Sequence, residues 1–406
     1  YIGHQLGYNE YGERTGTFRV MKYLHDGWYR IGSIIAPRSS EIGVFQGTLG
    51  NTQLNTGSIS SDGKRAMGNW KDEDTDSSTA RKGLIRVYDL SGGDWAQVGG
   101  DIIGDYPGDN ISTAHMSGDG STIVYRANGS SSPYSKILKY NSSTNAWDIQ
   151  TVISNSTGIS IVALNYDGTI RIDVDSTTSG DYKTYAYKYE NGSWNRIGQE
   201  LKSYEVDNDV ALSYIGLSKY GDYLIAGDKV SFSNTGVAIV FKYSSEANMW
   251  MQLGTNIQNP YSSEVNHPGH IRISADGKTI IMTDYQAKGN NNISNGGGFA
   301  VYKYFDGDWK QIFYQEGLVV NQMIGSGGAL CDNGELFAVS SGGEYFVKTF
   351  QITNDPALKI MKGNVGIGTS NPEYKLHLQG DRKDTLFRLT NKLSVGRTTI
   401  DFETND

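Results

Sequence analysis

Short apolar runs alternate with turns rich in Gly, Asp and Asn along most of the chain, and no stretch repeats apolar residues at helical spacing. The runs form three phrases that recur in fixed order. The first is a turn leading into an apolar strand. It occurs at Ser61-Asp62-Gly63-Lys64, Ser117-Gly118-Asp119-Gly120, Tyr166-Asp167-Gly168, Lys219-Tyr220-Gly221-Asp222, Ser274-Ala275-Asp276-Gly277 and Cys331-Asp332-Asn333-Gly334. The second is a β-branched and aromatic strand ending in Lys-Tyr or a relative, as in Ile137–Tyr140, Ala238–Tyr243 and Phe299–Tyr304. The third opens on Trp28, Trp95, Trp147, Trp194, Trp250 and Trp309, at successive spacings of 67, 52, 47, 56 and 59 residues. Four of these continue as Trp-x-x-x-Gly, ending at Gly32, Gly99, Gly198 and Gly254.

A fourth strand precedes each Asp-Gly turn, so each unit holds four antiparallel strands, A to D. Such a sheet cannot cover both of its faces alone, and stacking the units around an axis does so. The pattern predicts an all-β protein with a β-propeller over residues 1–352. Five complete units run from about Asn51 to Gln311, with B, C and D in front and A, B and C behind. That predicts seven blades, or six if the two partial units merge. The A–B and C–D turns are short and share one face. The B–C and D–A connections share the other and are long: 33–50, 69–82, 99–110, 228–235, 255–267 and 285–297. Long loops on a rigid scaffold are where binding concentrates.

Residues 353–406 break the repeat. Val365 and Ile367 alternate with glycines, and Leu376 and Leu378 with charged or polar residues, so the segment has too few core positions to fold alone. Self-association as a trimer would cover its edges. Gly363-Asn-Val-Gly-Ile-Gly-Thr-Ser-Asn-Pro372 through Lys375-Leu-His-Leu378 resembles the GNVGIGTxxPxxKLHV segment of phage tail fibres and tailspikes, which also occurs in large algal viruses and some bacterial surface proteins. There it often precedes a self-cleaving chaperone of the endosialidase type. The resemblance implies a homotrimeric stalk, a virion-surface or extracellular location, and a head that attaches to a host-surface glycan or protein. Both chain ends are expected on the tight-turn face, leaving the long-loop face unobstructed. The start at Tyr1, without Met, reads as a fragment.

Composition and charge narrow the partners. Net charge is -8 without a basic stripe, which argues against nucleic acid. No apolar run reaches membrane-spanning length, so no membrane insertion is expected. Cys331 is the one cysteine, so neither an intrachain disulfide nor a Cys-based zinc site can form.

Candidate chemistry is sparse. Sialidases are propellers whose Asp-box reads Ser-x-Asp-x-Gly-x-Thr-Trp, but Ser274-Ala-Asp276-Gly277-Lys-Thr279 lacks the residue between Asp and Gly. A depolymerase or glycosidase is the alternative to attachment and would need paired carboxylates on the long-loop face. A spacer or cellular adhesin is a third reading. Asp72, Asp74 and Asp76 alternate as in the start of a calcium loop, but the Gly and terminal Glu of such a loop are missing. Calcium is therefore the only cofactor with any sequence support. Asp173 and Asp175 read as solvated, and the six histidines show no ligand spacing. The repeated Trp residues read as packing between blades. Trp70, outside that repeat, joins Tyr8, Tyr11, Tyr106, Tyr134, Tyr204, Tyr261 and Tyr285 as loop aromatics that could meet a ligand.

Overall fold

The computed structural model describes residues 2–4, 16–24, 27–36, 52–72, 82–106, 108–128, 133–154, 160–176, 182–201, 212–228, 237–258, 260, 270–288, 293–344, 346–352, 359–360, 365–367 and 376–378, at some strand ends as backbone only. All regular structure among them is β. The first sheet has three strands, β1 (Ile2–His4), β2 (Thr17–Leu24) and β3 (Gly27–Ile35). Blade 1 follows with β4 (Thr52–Ile59), β5 (Arg65–Asp72), β6 (Leu84–Ser91) and β7 (Asp94–Gln97), and β8 (Ile102–Ile103) also pairs with β6. Blade 2 is β9 (Ile111–Met116), β10 (Thr122–Ala127), β11 (Tyr134–Asn141) and β12 (Ala146–Ser154). Blade 3 is β13 (Ser160–Leu164), β14 (Ile170–Ser176), β15 (Tyr182–Glu190) and β16 (Ser193–Leu201). Blade 4 is β17 (Leu212–Leu217), β18 (Tyr223–Asp228), β19 (Val237–Ser244) and β20 (Met249–Gln252), with β21 (Ile257–Gln258) also on β19. Blade 5 is β22 (His270–Ile273), β23 (Thr279–Asp284), β24 (Gly298–Phe305) and β25 (Asp308–Glu316). Blade 6 is β26 (Ile324–Leu330), β27 (Leu336–Ser341), β28 (Phe346–Gln351) and β29 (Lys359–Ile360).

The fold is thus a six-blade propeller of four-stranded sheets, with the three-stranded β1–β3 sheet stacked on blade 1. Of the two expected blade numbers, seven or six, the structure has six. The partial units stay separate, and β29 completes the last one, which was expected to hold only three strands. Within each blade successive strands pair antiparallel, so connections alternate between the two faces. First strands of successive blades touch, from β4 through β9, β13, β17 and β22 to β26, and so form the inner wall. Among the described residues, buried side chains form a series of clusters, five of which are shared between adjacent sheets, as stacked blades require.

Two local devices explain the sequence repeat. In the A–B turns a Ser and an Asp close a hydrogen-bonded loop. Ser60 Oγ donates to Asp62 Oδ1 at 2.6 Å, and Ser274 Oγ to Asp276 Oδ1 at the same distance. Lys64 N and Lys278 N donate to those carboxylates at 3.0 Å. These bonds hold the Asp62 carboxyl below its usual pKa, with the Ser60 bond the largest cause. In blade 6 the Ser is replaced by Cys331, whose Sγ donates to Asn333 Oδ1 at 2.8 Å and accepts from Leu336 N at 3.0 Å. The lone cysteine is a turn residue.

The second device ties the outer strands together. Trp95, Trp147 and Trp309 donate Nε1 to Ile31 O, Val98 O and Leu253 O of the preceding sheet at 2.8, 3.2 and 2.8 Å. Each ring covers the Gly that follows that carbonyl. A Cβ on Gly32, Gly99 or Gly254 would lie 2.6, 2.6 or 2.8 Å from the indole Cδ1. All three glycines have φ near +70°. The expectation that these tryptophans pack between blades holds.

The chain divides into two compact units, Tyr1–Lys359 and Ile360–Asp406. In the second, β30 (Val365–Ile367) and β31 (Leu376–Leu378) pair in parallel, Val365 against Leu376 and Ile367 against Leu378. A two-stranded sheet of this length is marginal by itself.

Candidate functional site: the long-loop face

The D–A connection from blade 1 to blade 2 is built around buried charge. Arg86 on β6 forks onto Asp101, with Nε–Oδ1 at 2.7 Å and Nη2–Oδ2 at 2.9 Å. Burial opposes the arginine charge, but the bonds to Asp101 outweigh it and the pKa rises. Tyr134, at the start of β11, donates to Asp109 Oδ2 at 2.6 Å and accepts from Asp105 N at 2.8 Å. Lys136 pairs with Asp105 Oδ1 at 2.5 Å. The loop is therefore fixed, and at its tip Tyr106 is 65% exposed.

A second fixed surface joins blades 5 and 6. Asn321 N, Met323 N and Ile324 N donate to Ser294 O, Asn295 O and Gly296 O at 3.0, 2.9 and 3.1 Å. Gly342 N and Gly343 N donate to Met323 O and Gln322 O at 3.2 and 3.1 Å. The Gln322 side chain accepts from Leu318 N at 2.8 Å and donates to Glu344 Oε2 at 2.9 Å. Parts of three connections on the long-loop side, 293–297, 317–323 and 342–344, are thereby laced together. The backbone turns left-handed here at Asn295 (φ +49°) and Asn321 (φ +58°), which suit it, and at Met323 (φ +52°), which does so under strain. The lacing holds outward an apolar tip in which Leu318, Val319 and Val320 are 54%, 51% and 60% exposed. Strain kept by a dense bond network under an exposed apolar tip is a combination that recurs at binding sites.

The sequence candidates fare unevenly. Tyr106 is exposed and Tyr285 half-buried at the start of the 285–297 connection. Trp70 is not a loop residue. It lies within β5, is fully buried, and donates Nε1 to Gly16 O at 3.2 Å. Gly68 makes room for its ring, since a Cβ there would lie 2.2 Å from Trp70 Cη2. Tyr134 is likewise internal, and burial pushes its hydroxyl pKa up, keeping it a donor to Asp109. Asp173 is not solvated. It is 4% exposed on β14 and pairs with Arg171 at 3.0 Å. The Arg171 guanidinium lies between the rings of Tyr187 and Trp194, 4.6 and 4.7 Å from their centroids. Tyr8, Tyr11, Tyr204, Tyr261, Asp74 and Asp76 lie outside the described residues, and Asp72 closes β5 as backbone. Among the described residues no three His, Cys, Asp or Glu side chains gather as a metal site would require. The Leu318–Val320 tip was missed because an apolar triplet reads as strand or core, and only the fold shows it facing outward.

No protein-family model matches the chain, and neither does any curated protein. Solved structures match it in fold. A candidate 6-phosphogluconolactonase from Bacteroides uniformis is similar at a TM-score of 0.51 and 12% identity, over 76% of this chain and 86% of that one. A protein from Lactobacillus plantarum reaches 0.52 at 13% identity, over 85% of this chain and 95% of that one. At such identity the likeness concerns architecture. With 684 solved chains matching, it selects no activity. By fold the chain is a β-propeller.

Proposed function

We propose that this chain is a non-enzymatic attachment head of a virion fibre or spike, which engages a host-surface glycan or protein through its long-loop face. The single observation that carries the reading is the laced surface of blades 5 and 6, with Leu318, Val319 and Val320 turned to solvent. A rigid apolar tip binds without an ordering cost and favours a protein partner over a purely polar one. The exposed Tyr106 adds an amphipathic contact on the same side. The resemblance of residues 363–378 to tail-fibre segments supports the viral setting, and the thin β30–β31 pair supports a stalk completed by further copies.

The test is binding of the full chain to arrays of surface glycans and of purified surface proteins, with Leu318→Asp and Val320→Asp as variants. The expected result is a bound feature that loses at least tenfold in affinity in both variants. Binding unchanged by both, or shortening of a polysaccharide during incubation, would overturn the reading.

A further inference from the structure

Blade 4 repeats a construction found in blade 1, with different chemistry. In each, the chain after the D strand passes a Gly and returns to pair with the C strand. β8 pairs Ile102 with Ile85 and Ile103 with Leu84, while β21 pairs Ile257 with Ala238 and Gln258 with Val237. The supporting amides match too. Gln97 Nε2 donates to Gly99 O and Asp101 Oδ1 at 3.4 and 2.8 Å, and Gln252 Nε2 to Gly254 O and Asn256 Oδ1 at 3.2 and 2.9 Å. Asn256 thus stands where blade 1 has Asp101. The register places the buried Ile239 where blade 1 has Arg86, so the ion pair is gone. The following blades differ in the same sense. Leu138 opposite Ile149 in blade 2 becomes Tyr302 opposite Gln311 in blade 5, each beside an equivalent irregularity in the ladder.

The result is a cleft of about 290 Å³ between blades 4 and 5, lined chiefly by Asn256, Ile257, Gln258, Tyr302, Trp309 and Gln311, and none of the described residues in its wall is charged. Drug-sized ligands need ~300–1,000 Å³, so this cleft suits a single ring. Among the described residues Tyr302 Oη makes long contacts, 3.2 Å to Gln311 Oε1 and 3.5 Å to Gln258 O, which a better-placed hydroxyl would displace. Burial pushes the Tyr302 pKa up to about 12, so the phenol stays neutral. Carboxamides and a phenol both donate and accept, as vicinal hydroxyls require. Ile257 and Trp309 supply the apolar wall that sugar C–H groups meet.

We propose that this cleft is a subsite for one unit of an uncharged saccharide. It stands independently of the attachment reading, because it uses none of the residues of the Leu318–Val320 surface.

The experiment is saturation-transfer NMR on the full chain with free glucose, galactose, mannose, fucose and N-acetylglucosamine, and with glucuronate and sialic acid as charged comparators. Gln311→Ile and Tyr302→Leu carry the blade 2 residues into blade 5, and urea unfolding checks that they remain folded. At least one neutral sugar should receive saturation and lose at least fivefold in affinity in Gln311→Ile. No transfer to any neutral sugar, transfer to charged sugars alone, or binding indifferent to both substitutions would overturn the proposal. A protein partner retained by the chain under any of those outcomes would leave the attachment reading standing while this one falls.

Discussion

The indole of Trp95 donates Nε1 to Ile31 O across the sheet boundary at 2.8 Å, while its ring closes over Gly32. The same relationship joins Trp309 to Gly254, where φ is +72° and a Cβ would sit 2.8 Å from the indole Cδ1. Gly192 has φ of +82° but open space around it. Gly192→Ala should therefore cost only the left-handed backbone penalty of ~1–2 kcal/mol. Gly254→Ala should cost a further ~1–3 kcal/mol for displaced packing. Urea unfolding of the two variants measures the difference, and equal costs would remove the clamp from the account.

Cys331 occupies the turn position that Ser holds at residues 60, 117, 218 and 274. Cys331→Ser should leave the urea midpoint unchanged or raise it, because a hydroxyl fills the same role elsewhere in the chain. Cys331→Ala removes both bonds and should cost about 1 kcal/mol. A Ser variant as damaged as the Ala variant would show that the thiol acts otherwise.

Acid should weaken the fold in two steps. Burial and then the charge of Arg272 hold the His115 pKa at about 4, down from 6.5. The folded state keeps this group neutral, so its stabilising effect is complete above pH 6.5 and lost as pH falls towards about 4. Asp308 accepts from Thr255 N at 2.9 Å, and that bond is the largest cause of a pKa of about 2 against the usual 3.8. Its contribution is complete above pH 3.8 and fades as pH falls towards about 2. Urea midpoints at pH 8, 5.5, 4 and 3 should trace both steps. His115→Gln should flatten the upper one without abolishing it, because burial also lowers the pKa of His270.

The Gln322 side chain joins Leu318 N to Glu344. Gln322→Ala should speed amide exchange across residues 318–323 while leaving β26 and β27 protected. Exchange rates equal to wild type in that loop would mean that the backbone bonds alone hold it.

Much of the propeller is written in the local pattern. Asp-Gly and Asn-Gly turns fix hairpins, and a period of two fixes which strand residues face inward. What the pattern could not carry is the pairing of units. Trp-x-x-x-Gly looks like one phrase, yet its Trp packs on the preceding sheet while its Gly receives the next one, as Gly99 does between Trp95 and Trp147. Trp70 misled for a related reason. It precedes a polar run, and only the close approach of Gly68 allows so large a ring to fold inward. Asp173 looked solvated because its partner Arg171 stands two residues away on the same face of a buried strand. The candidate site was legible as a face, through loop length, but not as residues. An exposed Leu-Val-Val has the composition of a strand, and its position follows from long-range bonds between loops.

Light scattering on the full chain and on residues 1–360, which keep β29 in blade 6, should give a trimer and a monomer respectively, if the C-terminal segment is the stalk. A monomer in both cases would contradict it.

The claim at the centre of the account is that partners meet the long-loop face. Hydrogen exchange of the full chain, free and bound to whichever arrayed feature retains it, tests that most directly. The account predicts protection concentrated at residues 317–323 and around Tyr106, with the turns at 60–64, 117–121 and 274–278 unchanged. Protection centred on those tight turns instead would place the partner on the opposite face and contradict it.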